Sequence, residues 1–508
     1  MAKVLMLQGT GSDVGKSVLV AGLCRILRQE GVRVAPFKPQ NMALNSFVTP
    51  EGGEMGRAQV VQAEAAGIEP HVDMNPVLLK PTTDVGAQVI LQGRVYGNMK
   101  ALEYHRFKRK AREAVMDSFH RLASRFDVIL VEGAGSPAEI NLRDGDIANM
   151  GFALEVGCPV LLVGDIDKGG VFAALVGTLE LIAPEERELV RGFIVNKFRG
   201  DASLLEPALR DISARTGKPF LGVVPYFRDI FIQEEDGIHR SSVEARSSGG
   251  RVRIAVVVPN RISNFTDFDP FLAEPDVRLD YVWPGERLGR AHAVILPGSK
   301  NTVDDLAALW RSGLADEILE NHRRGAWIVG LCGGYQMLGR VVRDPLGVES
   351  AGGEARGLGL LDVETVMEPS KVTTQSEARV RPGTLPWYGG SELLRGYEIH
   401  MGRTRLGPGA RPLLDLRRRG GTEWHPDGAV ADGGRVFGTY LHGLFDNDGF
   451  RRQFLEPFRP GASATSFARL KEEGYDRLAD LLRRSLDLDA VFRILDEGPE
   501  VGMEREEP

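Results

Sequence analysis

Short uninterrupted apolar runs recur along the first half of the chain, each closed by a glycine-rich turn and followed by a helical pattern. Lys3–Gln8, Val128–Val131, Val160–Val163 and Gly192–Val195 are of this kind. Apolar runs without alternation predict strands buried on both faces of a parallel sheet. The same pattern resumes after Arg251, in Ile254–Val258, Ala293–Leu296 and Trp327–Leu331. Between the two series lies SSVEARSSGG, residues 241–250, which is small, polar and aperiodic and predicts a linker. Beyond Asp446 the pattern turns helical through Arg469–Leu495 and ends in the acidic segment GPEVGMEREEP, expected to be disordered. The expected fold class is α/β, with two doubly wound domains. Residues 1–240 would form a first domain with a parallel sheet. Residues 251–446 would form a second, flavodoxin-like domain, and 447–508 a helical extension with an acidic tail.

Composition changes this picture little. The chain has 508 residues, 43% hydrophobic and 26% charged, which suits a soluble globular protein of two or three domains. A formal net charge of −7 argues against a broad nucleic-acid surface. No window has the ~20 apolar residues of a membrane span, so no membrane partner is expected. Three scattered cysteines, Cys24, Cys158 and Cys332, make no disulfide framework and no zinc pair. A reducing cytoplasm fits them best. Nothing in the pattern fixes the oligomeric state, and assembly into a homo-oligomer stays open.

Two segments carry chemistry. The first is Gly9-Thr-Gly-Ser-Asp-Val-Gly-Lys-Ser17, between the strand Val4–Gln8 and a helix expected over Val18–Gln29. Its backbone N–H groups, with Gly11 and Gly15 shaping the turn, would cradle phosphates; Lys16 adds charge, and Ser17 can coordinate magnesium. The spacing departs from the usual loop, because Gly9 and Gly15 enclose five residues and the four-residue spacing starts at Thr10. Glu132, ending its strand ahead of Gly-Ala-Gly, is placed to share the metal with Ser17. Asp146 and Asp165 are further carboxylates near strand ends, and Asn196, after Gly192–Val195, is a candidate for reading a purine base.

The second is Trp327-Ile-Val-Gly-Leu-Cys332-Gly-Gly-Tyr-Gln, a strand entering a tight turn with glycine on either side of the cysteine. This is a thiol form of the nucleophile elbow. The backbone N–H of Gly333 would contribute to an oxyanion hole, and the turn Pro297-Gly298-Ser299 would supply a second N–H from Gly298. A base is needed. His442, in GTYLHGLF, is the first candidate and His400, in GYEIHMG, the second.

The loop GTGSDVGKS, followed by KPQNMALNS and VEGAGSPAEINL, resembles the dethiobiotin-synthetase-like ATPases. Joined to GLCGGYQMLG and GTYLHGLF, the order is similar to the cobyrinic/cobyric acid synthase branch of the class I (triad) glutamine amidotransferases. The resemblance runs from Val4 to about Asp446. It implies that Cys332 is the glutaminase nucleophile and His442 its base. It further implies that ATP and Mg2+ activate a corrinoid carboxylate as an acyl phosphate, with L-glutamine as the nitrogen donor. KPQNMALNS, NPVLLKP and GDIDKGGVFAALVG are most similar to the cobyric-acid-forming members, which amidate the b, d, e and g carboxylates of adenosylcobyrinic acid a,c-diamide. The alternatives are the a,c-diamide-forming members, a peptidoglycan-precursor amidating relative, and a partitioning-type ATPase switch with a silent second domain. One position departs from the class: the glutamate expected two residues after the histidine is Leu444, and Glu398 and Asp446 are candidates to replace it.

Overall fold

In the computed structural model, residues 2–83, 86–235, 237, 250–349, 352–462 and 465–501 are described. The expected linker therefore lies, apart from Gly250, outside the described residues. The chain forms two compact units. One comprises residues 1–43, 54–236 and 471–508, the other residues 44–53 and 237–470.

The first unit is built on a sheet of β1 (Ala2–Gly9), β2 (Val34–Phe37), β3 (Val128–Glu132), β4 (Val160–Asp165), β5 (Val190–Phe198) and β6 (Phe220–Pro225). Its spatial order is β6-β5-β4-β1-β3-β2, all parallel. Every residue of β3 and of β4 is buried, which is why these runs show no alternation. Helix α1 (Lys16–Gln29) lies between β1 and β2, and helix α2 (Arg57–Ala66) between β2 and β3. The helices Phe467–Ser485 and Leu488–Glu497 bring Tyr475, Leu478, Leu482 and Ile494 into the same core as Leu5, Leu7 and Leu23. The packing is close: a Cβ on Gly22 of α1 would stand 2.4 Å from Leu482 Cδ1. The C-terminal helices from Lys471 onward are thus part of the first unit and not a separate extension. Glu500–Val501, expected within a disordered tail, pair antiparallel with Ala2–Lys3, and residues 502–508 lie outside the described part.

The second unit has a central sheet of β7 (Val252–Val257), β8 (Val277–Val282), β9 (Ala293–Leu296) and β10 (Trp327–Leu331). A second sheet is dominated by β11 (Val363–Val380) paired antiparallel with β12 (Leu394–Leu406). The strands β13 (Ala429–Ala431) and β14 (Val436–Thr439) then complete the central sheet, whose order is β8-β7-β9-β10-β14-β13. All its pairings are parallel except β13 with β14. Leu441–His442 leaves this sheet to pair with Tyr397–Glu398 of β12, so His442 sits where the two sheets meet.

Candidate active sites

In the second unit, β10 runs into Cys332, whose backbone is held at φ 53°, ψ −110° before α3 (Gly333–Leu338) begins. A non-glycine residue at positive φ is strained, and such strain is maintained where a turn must present a reactive group. The flanking glycines are steric requirements. A Cβ on Gly334 would lie 1.9 Å from the Leu296 carbonyl oxygen, and one on Gly333 would lie 2.7 Å from the Ser299 nitrogen. The expected oxyanion groups, Gly333 and the Gly298–Ser299 backbone, therefore come together beside the cysteine. A Cβ on Gly298 would also be 3.6 Å from His442 Cε1.

His442 is buried, and its Nδ1 lies 2.6 Å from Asp267 Oδ2. The other oxygen, Oδ1, accepts the Gly443 N–H at 2.9 Å, which fixes the carboxylate in the plane of the turn. Among the described residues Nε2 has no hydrogen-bond partner, which leaves it as the ring nitrogen for Cys332. Burial alone would push the imidazole down. The Asp267 carboxylate and the neighbouring Cys332 sulfur outweigh it and carry His442 up to about 10. The Cys332 thiol is 3.5 Å from the Ile399 carbonyl oxygen.

Asp267 is the partner that Leu444 does not supply. The candidates Glu398 and Asp446 do not take this place. Glu398 accepts from Ser376 Oγ at 2.5 Å and faces His400 and His425 at 3.8 and 3.9 Å. Asp446 lies on the turn after His442, with Oδ2 3.8 Å from the position of a Cβ on Gly443. Leu444 itself is fully buried in the apolar core, where a carboxylate would be left without a partner. His400 is committed elsewhere, with Nδ1 3.0 Å from the Gly402 carbonyl and its ring stacked on Tyr440 at 3.7 Å. A signal for Asp267 existed only as an acidic residue in the run FTDFDPF, which nothing local ties to a histidine 175 positions later.

In the first unit, the loop between β1 and α1 has Gly15 at φ 96°, a conformation that L side chains rarely adopt. Lys16 Nζ donates to the Gly11 carbonyl at 2.9 Å and the Gly135 carbonyl at 3.1 Å, so the cation is held over the loop. Ser17 Oγ donates to Glu132 Oε1 at 2.7 Å, and Lys38 Nζ donates to the same oxygen at 2.8 Å. Gln62 Nε2 donates to Oε2 at 2.6 Å. Burial acts to raise Glu132, and Lys38 with these donors overcomes it, leaving the carboxyl below its ordinary value and ionised. A serine hydroxyl against an ionised buried carboxylate suits magnesium, which takes one or two carboxylates and fills its remaining positions with phosphate oxygens and water. Among the described residues no group of three or more His, Cys, Asp or Glu gathers to hold a metal without such help.

The remaining candidates divide. Asp165 ends β4, accepts the Asp167 N–H at 2.8 Å and pairs with Lys197 at 3.0 Å. Asn196 Nδ2 donates to the Val14 carbonyl at 2.8 Å and occupies the space a Gly15 Cβ would need, so it supports the phosphate loop. Asp146 is removed from the loop's chemistry: its two oxygens accept the N–H groups of Ala148, Asn149 and Gly151 at 2.8–3.0 Å, capping the helix Met150–Val156.

Residues 5–239 match the model of the CobQ/CobB/MinD/ParA nucleotide binding domain, and residues 253–450 that of the CobB/CobQ-like glutamine amidotransferase domain. The chain is 51% identical to a protein called cobyric acid synthase from Syntrophobacter fumaroxidans, over 97% of this chain and 99% of the relative. Cobyric acid synthase of a Thermoanaerobacter species is 50% identical over 98% of this chain and 99% of its own length. That of Salmonella heidelberg is 51% identical over 98% of this chain and all of its own.

Proposed function

The chain belongs to the cobyric acid synthase family, and from that premise we propose that its two sites divide one ATP- and glutamine-dependent amidation of a corrinoid between them. The full-length similarity to cobyric acid synthases carries this reading, and the geometry of each site supports a definite share of the chemistry.

At the glutaminase site, the Cys332 sulfur attacks the side-chain carbonyl carbon of glutamine, and the oxygen that gains charge is met by backbone N–H groups of Gly333 and the Gly298 turn. His442 delivers its Nε2 proton to the departing ammonia as the C–N bond breaks. Asp267 holds the imidazole by Nδ1 throughout, in the orientation that leaves Nε2 toward the sulfur. Water then releases glutamate, with His442 taking back a proton.

At the phosphate loop, a carboxylate oxygen of the corrinoid attacks the γ-phosphorus of ATP, and ADP leaves. The backbone of Gly11–Ser17 and Lys16 bind the phosphates; Ser17 and Glu132 would hold Mg2+, which when bound offsets charge on the transferring group. Ammonia adds to the acyl carbon and inorganic phosphate departs, leaving an amide. The substrate is adenosylcobyrinic acid a,c-diamide, amidated at the b, d, e and g carboxylates.

Replacing Cys332 by alanine tests the division. Cys332→Ala is expected to abolish glutamine-driven amidation while ammonium salts still support it within about twofold. Glutamine-driven product from that variant would refute the assignment.

A further inference from the structure

Residues 44–53 lie inside the stretch that matches the nucleotide-binding family, yet they belong to the second unit. Asn45, Ser46, Val48 and Thr49 are almost wholly buried, unusual for a segment with so little regular structure, since connecting segments ordinarily run over the surface. Thr49 bonds Gly53 within the segment, whereas Asn45 accepts from Thr266, beside Asp267, and Ser46 reaches the residues around His442. The Ser46 N–H donates to Asn264 Oδ1 at 3.3 Å, Asn264 Nδ2 donates to Tyr397 Oη at 3.1 Å, and Tyr397 Oη donates to the Ser46 carbonyl at 3.4 Å. This closes a triangle. The Phe47 ring packs edge-on against Tyr397 at 4.9 Å, and Gln375 donates to the Val48 carbonyl.

Both outer corners of the triangle bear on the imidazole. The Tyr397 ring is stacked on His442, centroids 5.2 Å apart and planes 14° from parallel. Asn264 is held at φ 53°, ψ 41°, a left-handed conformation that asparagine tolerates, and it starts the turn of helix Phe265–Ala273 that carries Asp267. One short segment thus fixes the ring against one face of His442 and the start of the element bonded to its Nδ1.

We propose that residues 44–53 are a positioning strap of the glutaminase: through Phe47, Tyr397 and Asn264 they hold His442 and Asp267 in register. The inference rests on the reading of Cys332 and His442 given above.

The test uses the full-length enzyme and reads glutamate release beside ammonia-driven amidation. Phe47→Ala is expected to lower glutaminase kcat about tenfold, with glutamine KM within about twofold and ammonia-driven synthesis kept. Tyr397→Phe keeps the stacked ring and loses only the hydroxyl, and about a threefold fall in kcat is expected. It carries the test if Phe47→Ala does not fold. Unchanged glutaminase in Tyr397→Phe or an equal fall in ammonia-driven synthesis would each overturn the strap. Cys332→Ala assayed alongside separates the failures: if glutamine use survives there, the nucleophile assignment is at fault and not the strap.

Discussion

At the scale of single residues, the proposed glutaminase mechanism calls for a protonated histidine, and the buried Asp267 carboxylate faces His442 at 2.6 Å. Asp267→Asn keeps the size and removes the charge. It is expected to lower glutamine-driven kcat by about a hundredfold or more, by analogy with loss of an orienting carboxylate elsewhere, while ammonia-driven synthesis persists. Measuring both rates in one preparation checks this, and an equal loss of the two would sink it. The pair also has a stability signature. His442 stands at about 10 against 6.5 for a free imidazole, so the folded state binds its proton more tightly. The stabilisation is complete below about pH 6.5 and disappears as the pH rises through about 10. Melting curves of wild type and Asp267→Asn should therefore differ most below pH 6.5 and converge above about pH 10; a constant difference would contradict the ion pair. Cys332 and His442 stand out in the sequence as candidates because a nucleophile elbow and a glycine-flanked histidine are local patterns. Asp267 was not legible, because its partnership is made by folding, across 175 positions.

Among the elements, those hidden in a sheet were the easiest to see. β9 and β10 have the bounds expected from their apolar runs, Ala293–Leu296 and Trp327–Leu331. The long pair β11 and β12 was not foreseen. Their solvent-facing positions carry Glu, Lys, Thr and Arg, and β11 alternates between buried and open over much of its length, so no apolar run marks them. The C-terminal helix Phe467–Ser485 shows its periodicity plainly, but periodicity names a face and not the surface that covers it. That surface is α1. Leu482→Ala should cost ~3 kcal/mol through lost burial and the cavity left against Gly22. Urea unfolding followed by nucleotide-site fluorescence would read it, and a cost under about 1 kcal/mol would show that this helix is peripheral to the core. The segment 44–53 escaped the sequence reading for the same reason: its polar side chains resemble an exposed loop until their partners are known.

For the molecule as a whole, two chemistries on one chain make separable demands. Lys16→Ala should abolish amidation from glutamine and from ammonia alike, since both need the activated carboxylate. Glutamate release by that variant should survive above background, and retained ammonia-driven synthesis would refute the role of the loop. No helix among the described residues is long and apolar enough to cross a membrane, and the substrates of the family are small molecules; the assay uses the purified full-length chain. The most direct test of the central claim is the mass spectrum of the corrinoid after incubating that chain with adenosylcobyrinic acid a,c-diamide, Mg-ATP and amide-15N glutamine. The predicted product carries four new amides, each labelled and each matched by one ADP. A substrate recovered unchanged, or amides formed without label from glutamine, would contradict the account.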